Sequence, residues 1–462
     1  MITLRPYQEA AIEGVRNAYR RGRRAPLLVM PTGGGKTVCF ARIAQGAAAK
    51  GKRVLICVHR AELLSQCAEK LEELGVEHGC ISPDYRPKYF LPVQVASIQT
   101  LVRRFGQIER PDLVIFDEAH HVTTANQWGQ VRNAYEKALT LGVTATPCRL
   151  DGKSLGDTFD QIVEGPSVLE LTRAGYLAPA AYFASQLRVD LAAVKTRAGD
   201  YAQDQLEEVM DKPALTGDAV EHYQRTAPNQ AAIAFCVSVK HAEHVAEQFR
   251  LAGFNAAALD GKTDPVTRKA TIAALARGEL HVLASCNLIS EGTDIPRVEV
   301  GIMLRPTKSL SLWLQQVGRC LRVAPGKERA TILDHAGNVF VHGFAHDPRA
   351  WSLEPKKKRK ATEALPAVRN CPDCFCAHPP APYCPQCGHV YFTAEARELE
   401  TVEGDLVELG ADLQARIRAQ RKAEERNAQT LEELQALGRA RGYSDGWARH
   451  RYEARQRKGY AR

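Results

Sequence analysis

The sequence predicts an α/β protein with two parallel-sheet domains in tandem, followed by a small cysteine-rich module and a helical C-terminal tail. Three observations support this prediction. Short apolar runs alternate with helical-length spacers over the first 150 residues, and the same alternation restarts near residue 225. Five of the thirteen cysteines fall within seventeen residues in the last quarter of the chain. At 462 residues, the chain is long enough to form several hydrophobic cores.

The composition is that of a folded protein, with 45% hydrophobic and 25% charged residues. The formal net charge of +9 is a modest bias towards polyanionic partners. No uncharged apolar run approaches the ~20 residues that span a bilayer. The N-terminal segment MITLRPYQEA lacks the basic-then-apolar pattern of a signal peptide. We therefore expect a cytoplasmic protein without a membrane segment.

The first domain, residues 1–180, is predicted from the spacing of its apolar runs. Each run has the length of one buried strand, and the intervals can each hold a helix, as expected of a parallel sheet. The runs are LLVM (27–30), RVLICVH (53–59), VQVASI (93–98), DLVIFD (112–117) and LGVTAT (141–146).

The second domain, residues 181–345, repeats the pattern after a less regular stretch. Its runs are AAIAFCVS (231–238), AAALDG (256–261), HVLASC (281–286), VGIMLRP (300–306) and ATILDH (330–335). A basic segment with prolines follows, so we place a linker at 346–369. The cysteine-rich module at 370–392 and a helical basic tail at 393–462 complete the predicted organisation.

A glycine-rich segment, MPTGGGKT (30–37), lies after the first apolar run and before a helix-compatible sequence. This is the context of a phosphate-binding loop, in which backbone N–H groups and a helix N-terminus surround phosphate oxygens. Lys36 is suited to reach the β and γ phosphates, and the Thr37 hydroxyl is suited to bind Mg²⁺. Met30 stands where the strict pattern has glycine, so a glycine-rich turn without a ligand is the alternative. The predicted ATP-contacting residues of this loop are Thr32, Gly33, Gly34, Gly35, Lys36 and Thr37.

Two adjacent carboxylates end the apolar run of DLVIFDEAH (112–120). Charges next to a buried strand are costly without a partner, so a nearby phosphate loop favours a role in metal binding and hydrolysis. Asp117 is suited to hold Mg²⁺, and Glu118 is suited to activate the attacking water. An acidic turn at the end of a strand is the alternative interpretation.

These motifs resemble those of the superfamily 2 helicases of the DEAD/DEAH-box type, since residues 117–120 read DEAH. The resemblance implies two RecA-like domains with ATP and Mg²⁺ between them, and arginines of the second domain near the γ-phosphate. Four other matching segments lie in the first domain: LRPYQEAAI with the adenine-reading Arg5 and Gln8, the strand-contacting segments HRAELLSQ and SIQTL, and the coupling motif VTATP. Two lie in the second domain: ISEGTDIP with the nucleotide-facing Gly292 and Asp294, and QQVGRCLR with Gln315, Gly318, Arg319 and Arg322.

The RPYQ start, the stretch 304–338 and the cysteine-rich C-terminal module together resemble the RadD-like DNA-repair helicases and their phage relatives. This resemblance implies a nucleic-acid partner, with DNA preferred over RNA, and a bacterial or phage-infected host cytosol. No motif reports contacts to the 2′-hydroxyl by which RNA is distinguished. Translocation polarity, the preferred DNA structure and the oligomeric state stay open.

Two CxxC pairs, CPDC (371–374) and CPQC (384–387), are separated by nine residues. Four thiolates suit a tetrahedral structural Zn²⁺ site, so Cys371, Cys374, Cys384 and Cys387 are the predicted ligands. Cys376 and His378 lie between the pairs, and either could replace one of the four. A disulfide is the alternative, which a reducing cytosol disfavours.

The predicted function is an ATP-dependent nucleic-acid translocase or helicase, most consistent with DNA repair, recombination or phage replication. An ATP-gated clamp or a partner-recruiting remodeler without strand separation is the alternative, and the motor subunit of a restriction nuclease is a third. From residue 355 onward the chain carries 20 Lys and Arg against 15 Asp and Glu. The tail is therefore a candidate DNA contact, and the zinc module is a candidate site for a protein partner.

Overall fold

The computed structural model describes residues 3–149, 152–184, 190–197, 199–286, 295, 297–355, 366–391 and 411–459. The chain forms two compact units, Met1–Phe392 and Thr393–Arg462. The first unit contains both large sheets and the cysteine-rich segment, and the second contains the C-terminal helices. The predicted fold class is confirmed.

Lobe 1, the N-terminal part of the first unit, is built on a seven-stranded parallel sheet. Its strands are β1 (Pro26–Val29), β2 (Val54–Val58), β3 (His78–Ile81), β4 (Val93–Ser97), β5 (Leu113–Asp117), β6 (Leu139–Thr144) and β7 (Gln161–Glu164). Their order across the sheet is β3-β4-β2-β5-β6-β1-β7. Because the strands are parallel, the loops that follow β1, β5 and β6 meet at one edge of the sheet.

Helices cover both faces of this sheet, as a parallel sheet requires. One face packs against the first three helices through Ile12, Phe40 and Leu64, and the other packs against Leu101 and Trp128. The helices are α1 (Pro6–Arg20), α2 (Lys36–Ala48), α3 (Ala61–Glu73), α4 (Ile98–Leu101) and α5 (Gln127–Ala134). A short helix, α6 (Val168–Arg173), precedes lobe 2.

Lobe 2 is built on a second parallel sheet, formed by β8 (Ala180–Ala184), β11 (Ala232–Phe235), β12 (Ala256–Leu259), β13 (Val282–Ser285), β14 (Val300–Met303) and β15 (Ala330–Asp334). Their order across the sheet is β12-β13-β11-β14-β15-β8. A small antiparallel hairpin is formed by β9 (Thr196–Arg197) and β10 (Asp200–Tyr201). The helices are α7 (Gln203–Met210), α8 (Pro213–Thr226), α9 (Val239–Leu251), α10 (Pro265–Arg277), α11 (Leu310–Cys320) and α12 (Asn338–His342).

The cysteine-rich segment extends the sheet of lobe 2. Its strand β17 (Cys376–His378) pairs antiparallel with β8 and with β16 (Arg369–Asn370). The Ala184 N–H also donates to the Phe375 carbonyl at 3.0 Å. The module is therefore joined to lobe 2 by main-chain hydrogen bonds, which the sequence had not indicated.

The chain returns from lobe 2 to lobe 1 before it reaches the cysteines. The Leu353 carbonyl accepts hydrogen bonds from the Leu155 and Gly156 N–H groups at 2.9 and 3.1 Å. The Trp351 and Leu353 side chains pack against the core of lobe 1. The first part of the predicted linker is thus packed structure, while its basic run, residues 356–360, lies outside the described residues.

The second unit contains α13 (Ala411–Asn427), α14 (Leu431–Ala440) and α15 (Asp445–Gly459). A capping box formed by Thr430 and Glu433 fixes the start of α14. Its fully buried Leu434 and the close approach of Trp447 to Gly438 join α14 to α15. Within the part of the chain that the structure describes, every helix is too short or too polar to cross a lipid bilayer.

Candidate functional site: a nucleotide cleft and a cysteine cluster

The glycine-rich segment forms the turn between β1 and α2. Gly33 and Gly35 have φ angles of 85° and 82°, a region that side chains disfavour, and Gly35 is the N-cap of α2. Lys36 and Thr37 are therefore the first two residues of this helix, where the helix dipole attracts anions. Met30, which departs from the strict motif, is fully buried, and its N–H donates to the Thr144 carbonyl at 3.0 Å.

The two carboxylates lie at the same edge of the sheet as the glycine-rich turn. Only β6 separates β5, which ends at Asp117, from β1, which precedes the turn. Both side chains are buried, and the Glu118 N–H donates to Asp117 Oδ1 at 3.0 Å. The Thr37 hydroxyl and the Asp117 carboxylate are hard oxygen ligands, which is the donor set that Mg²⁺ prefers.

Glu118 has a strained backbone. Its φ angle of 49° lies in the left-handed region, which costs a non-glycine residue about 1–3 kcal/mol. His120 Nδ1 lies 3.4 Å from Glu118 Oε2 and 3.0 Å from Thr144 Oγ1. The carboxylate predicted to activate water therefore lies beside His120, which in turn contacts the VTATP segment at Thr144.

Hydrogen bonds of threonine and serine hydroxyl groups connect the VTATP segment to lobe 2. The Thr144 hydroxyl donates to the Thr146 carbonyl at 3.1 Å, and Thr146 Oγ1 lies 2.5 Å from Ser311 Oγ on α11. Ser311 was not predicted from the sequence. The signal that could have found it is its position four residues before Gln315, which places both on one face of a helix.

The predicted adenine-reading segment lies against the phosphate loop. A Cβ atom at Gly35 would overlap the side-chain amide of Gln8, and the Tyr7 hydroxyl donates to the Gly34 carbonyl at 3.1 Å. The Arg5 N–H donates to Gln8 Oε1 at 3.0 Å, and the Arg5 guanidinium lies 4.6 Å from the centre of the Tyr176 ring. Tyr7 and Tyr176 were not predicted; Tyr7 lies within the RPYQ segment, but no sequence signal marks Tyr176.

Helix α11 brings the glutamine and the first arginine of QQVGRCLR to the same cleft. Gln315 and Arg319 are both buried. A Cβ atom at Gly318 would come within 2.6 Å of Thr32 Cβ, so only glycine permits this approach of the helix to the phosphate loop. Just past the helix, burial of the guanidinium lowers the pKa of Arg322 to about 10, which leaves it charged at neutral pH.

A second contact between the lobes lies at α3 and α10. Arg268 of α10 forms an ion pair with Glu62 of α3, and both side chains are at least partly buried.

Gly292 and Asp294, the remaining predicted nucleotide-facing residues, lie outside the described residues. The other predicted residues of the cleft come from the ends of β1 and β5, from α1 and from α11, and the described contacts bring the α1 and α11 groups to the phosphate loop.

The four cysteines of the two CxxC pairs, named here the knuckle cysteines, form one compact cluster. The Sγ atoms of Cys371, Cys374, Cys384 and Cys387 all lie within 4.8 Å of one another, with 3.5 Å between Cys371 and Cys387. Four sulfurs bound to Zn²⁺ at ~2.3 Å require separations close to these, so the residues fit a tetrahedral zinc site.

The two alternative ligands, His378 and Cys376, are placed less well for metal binding than the four clustered sulfurs. His378 Nε2 lies 2.8 Å from the Tyr391 hydroxyl, and His378 Nδ1 lies 2.6 Å from the Pro379 carbonyl. The Cys376 side chain packs against Cys371 and Cys384, but its sulfur is not one of the four that lie within 4.8 Å of one another. Within the described residues, the geometry therefore favours the knuckle cysteines as the ligand set.

The fold and the cleft define a class of protein: an ATPase with two RecA-like lobes in which α11 of lobe 2 packs on the phosphate loop of lobe 1. Comparison with known families agrees. The family described as "Type III restriction enzyme, res subunit" matches residues 1–149, and the family "Helicase conserved C-terminal domain" matches residues 211–324.

Individual proteins are also similar to this chain. The "51.5 kDa protein" of a Lactococcus phage is 32% identical over 383 residues, which cover 82% of this chain and 81% of the phage protein. "Putative ATP-dependent helicase IRC3" of Saccharomyces cerevisiae is 29% identical over 73% of this chain, and the match spans only 52% of the yeast protein. The chain belongs to the superfamily 2 helicases and is an ATP-hydrolysing enzyme.

A solved structure shares the fold at lower identity. The ATP-dependent Type ISP restriction-modification enzyme LlaBIII bound to DNA superimposes on 72% of this chain, and on 27% of its own, with a TM-score of 0.54 and 20% sequence identity. This likeness supports the two-lobed architecture.

Proposed function

We propose that this chain is an ATP-driven translocase that acts on DNA. The observation that carries the proposal is the direct approach of α11 to the phosphate loop at Gly318 and Thr32, together with the hydroxyl contact between Thr146 and Ser311. These contacts join the predicted nucleotide-binding residues of lobe 1 to lobe 2. Binding or hydrolysis of the nucleotide can therefore change how the two lobes are arranged.

In this proposal each residue has one task. Lys36 and the N-terminus of α2 bind the β and γ phosphates, and Thr37 and Asp117 hold Mg²⁺, which neutralises phosphate charge when it is bound. Glu118 accepts a proton from the attacking water. The guanidinium groups of Arg319 and Arg322 stabilise negative charge on the γ-phosphate from lobe 2. Arg5, Gln8 and Gln315 orient the nucleotide.

Hydrolysis then depends on the closed arrangement of the lobes, because neither lobe contains all the groups needed for it. ATP that contacts both lobes stabilises this arrangement, and loss of the γ-phosphate removes some of those contacts. The cleft reopens after hydrolysis. Repeated closing and opening moves a bound strand through the protein in steps.

DNA is the proposed substrate for two reasons. The solved enzyme with the same two-lobed architecture is bound to DNA, and the sequence resembles DNA-repair and phage helicases. Binding through phosphates is not sequence-selective, so the proposed motor has weak sequence preference. A role in repair, recombination or phage replication and a cytoplasmic location belong to this same proposal.

The test is ATP hydrolysis by Lys36→Ala and Glu118→Gln variants, with single-stranded DNA, duplex DNA or RNA as the activator. Both variants are expected to lose stimulated turnover, by about 100-fold or more for Glu118→Gln because the general base is removed. Glu118→Gln should retain ATP binding, whereas Lys36→Ala should bind ATP more weakly. The exposed Glu69→Gln is the matched control and should hydrolyse ATP normally.

Strand displacement on forked DNA and forked RNA distinguishes the remaining functions. Displacement of DNA alone supports the proposal, and displacement of RNA alone would overturn the DNA assignment. ATP hydrolysis with nucleic-acid binding but without displacement or movement along the strand would favour the ATP-gated clamp. Near-normal turnover in Glu118→Gln would overturn the assignment of the catalytic base.

A further inference from the structure

A large basic cavity lies in lobe 1, away from the nucleotide cleft. Its volume is about 860 Å³, which is within the range of ligand-binding pockets. Arg24, Lys52, Asp112 and Lys137 line it, and each lies one or two residues before a strand of the parallel sheet. The cavity, named here the basal pocket, is therefore at the amino ends of the strands, at the opposite edge of the sheet from Lys36 and the two carboxylates.

The wall of the basal pocket is strongly positive, with six basic and two acidic residues. Within the described part of the chain, Lys50, Arg110 and Lys137 have no carboxylate within ion-pairing distance. Asp112 does not offset their charge, because it accepts hydrogen bonds from the Arg53 N–H at 2.8 Å and from Lys52 Nζ at 3.1 Å. Glu136 is the second acidic residue of the wall, so the three cations still leave an excess of positive charge for an anionic ligand.

The interior of the basal pocket is partly apolar. Ile43, Ala47 and Leu139 line it and are only partly buried against the core of lobe 1. The Tyr19 hydroxyl donates to the Thr140 carbonyl at 2.9 Å, so this polar group is already satisfied. A ligand that fills the pocket must place apolar groups on these side chains and anionic groups beside the cations.

This combination selects among possible ligands. A nucleic-acid duplex presents mainly phosphates and sugars at its surface, which do not match the apolar side chains of Ile43 and Leu139. Single strands bind proteins by stacking bases on aromatic faces. Of the two aromatic residues of the pocket, Tyr135 has 8% of its surface exposed, and Tyr19 packs partly buried against the core of lobe 1. An acidic peptide with aliphatic side chains satisfies both the cations and the apolar surface.

We propose that the basal pocket docks a short acidic segment, with apolar side chains, of a partner protein. The segment binds while the nucleotide cleft stays accessible, because the two sites lie at opposite edges of the sheet. Helix α2 connects the sites, since it begins at Lys36 and ends at Ala48, two residues before Lys50. The motor is thereby recruited without occupation of its nucleotide site.

The experiment uses the full-length protein and a fluorescein-labelled peptide of sequence EEDLEDLE, with binding followed by fluorescence anisotropy. Two control peptides separate the contributions: EEDSEDSE lacks the apolar side chains, and QQNLQNLQ lacks the charges. Both are expected to bind at least about tenfold more weakly than EEDLEDLE, because each retains only one kind of interaction. Equal binding of all three peptides would overturn the proposal.

Protein variants then locate the site. The double variant Lys50→Glu, Arg110→Glu is expected to bind EEDLEDLE at least about tenfold more weakly, because attraction is replaced by repulsion. Its ATP hydrolysis and unfolding temperature should equal those of the parent chain. The exposed pair Arg86→Glu, Lys88→Glu makes the same charge change in lobe 1 outside the pocket and should bind normally.

Two further results would contradict the proposal. Equal loss of peptide affinity in both double variants would show that only net charge matters. If Lys50→Glu, Arg110→Glu instead loses affinity for a labelled oligo-dT strand and keeps peptide affinity, the pocket is a nucleic-acid site. Should charge reversal unfold the protein, Lys50→Gln, Arg110→Gln with a smaller expected loss of peptide affinity takes its place.

Discussion

At the scale of single residues, the cleft depends on a few buried polar contacts. Glu118 has a left-handed backbone conformation. His120, two residues later, forms a hydrogen bond with the Thr144 hydroxyl. Thr146 and Ser311 then connect the two lobes through their hydroxyls. Removing the partner of a buried hydroxyl group leaves it without a hydrogen bond, so loss of either hydroxyl should destabilise this contact between the lobes.

Ser311→Ala is expected to reduce nucleic-acid-stimulated ATP hydrolysis by up to about tenfold, because the buried Thr146 hydroxyl loses a hydrogen bond of about 0.5–1.5 kcal/mol. ATP affinity should change little. Steady-state hydrolysis with and without DNA measures the effect. Ser311→Thr keeps the hydroxyl and should retain more activity; equal activity of Ser311→Ala and the parent chain would show that the hydroxyl pair has no role in coupling.

At the scale of secondary-structure elements, β17 and α11 each serve two purposes. Helix α11 packs its apolar face into lobe 2 and presents Gly318 to the phosphate loop. Strand β17 lies between the two cysteine pairs and also pairs with β8. A structural metal in the cysteine cluster therefore supports the edge of the lobe 2 sheet as well as its own module.

One Zn²⁺ per chain is expected from elemental analysis of protein purified without chelator. Cys371→Ser should lose the metal and lower the unfolding temperature, and hydrogen exchange should increase in β17 and in its partner β8. The matched variant Cys376→Ser should retain the zinc, because its sulfur is not one of the four that lie within 4.8 Å of one another. An absence of zinc, or its equal loss in both variants, would contradict the assigned ligand set.

At the scale of the whole molecule, the division into two units separates the enzyme from its tail. Both lobes and the cysteine cluster belong to the unit that ends at Phe392, and the C-terminal helices form a unit of their own. The returning segment with Trp351 and Leu353 belongs to the first unit. A truncation that tests the tail must therefore follow residue 392, since one at 350 removes part of the packed structure of lobe 1.

Removal of residues 393–462 is expected to leave basal ATP hydrolysis largely unchanged, because the predicted nucleotide residues all precede residue 323. DNA affinity should fall if the basic helices bind phosphates. The slope of log affinity against log salt should then become shallower by roughly 0.7 for each single-strand phosphate that the shortened chain no longer binds. A salt titration of both chains measures this; an unchanged slope and affinity would reassign the tail to partner recruitment.

Local sequence patterns were sufficient to predict the fold class and the main motifs of this protein. Buried strands appear as apolar runs, and a phosphate loop and the residues DEAH are contiguous, so their chemistry can be read without a fold. The two lobes, the helical tail and the choice of cysteine-rich segment followed from such patterns and agree with the structure. The domain boundaries and the roles of the site residues stay predictions.

The contacts between segments that are distant in the sequence became known only from the tertiary structure. Ser311, Tyr7 and Tyr176 reach the cleft through contacts that no local pattern records, and β17 pairs with a strand from the start of lobe 2, far earlier in the chain. The basal pocket is likewise assembled from loops before four separate strands. Strand order and loop packing bring these groups together, because main-chain pairing and burial act between residues that are close in space whatever their separation in sequence.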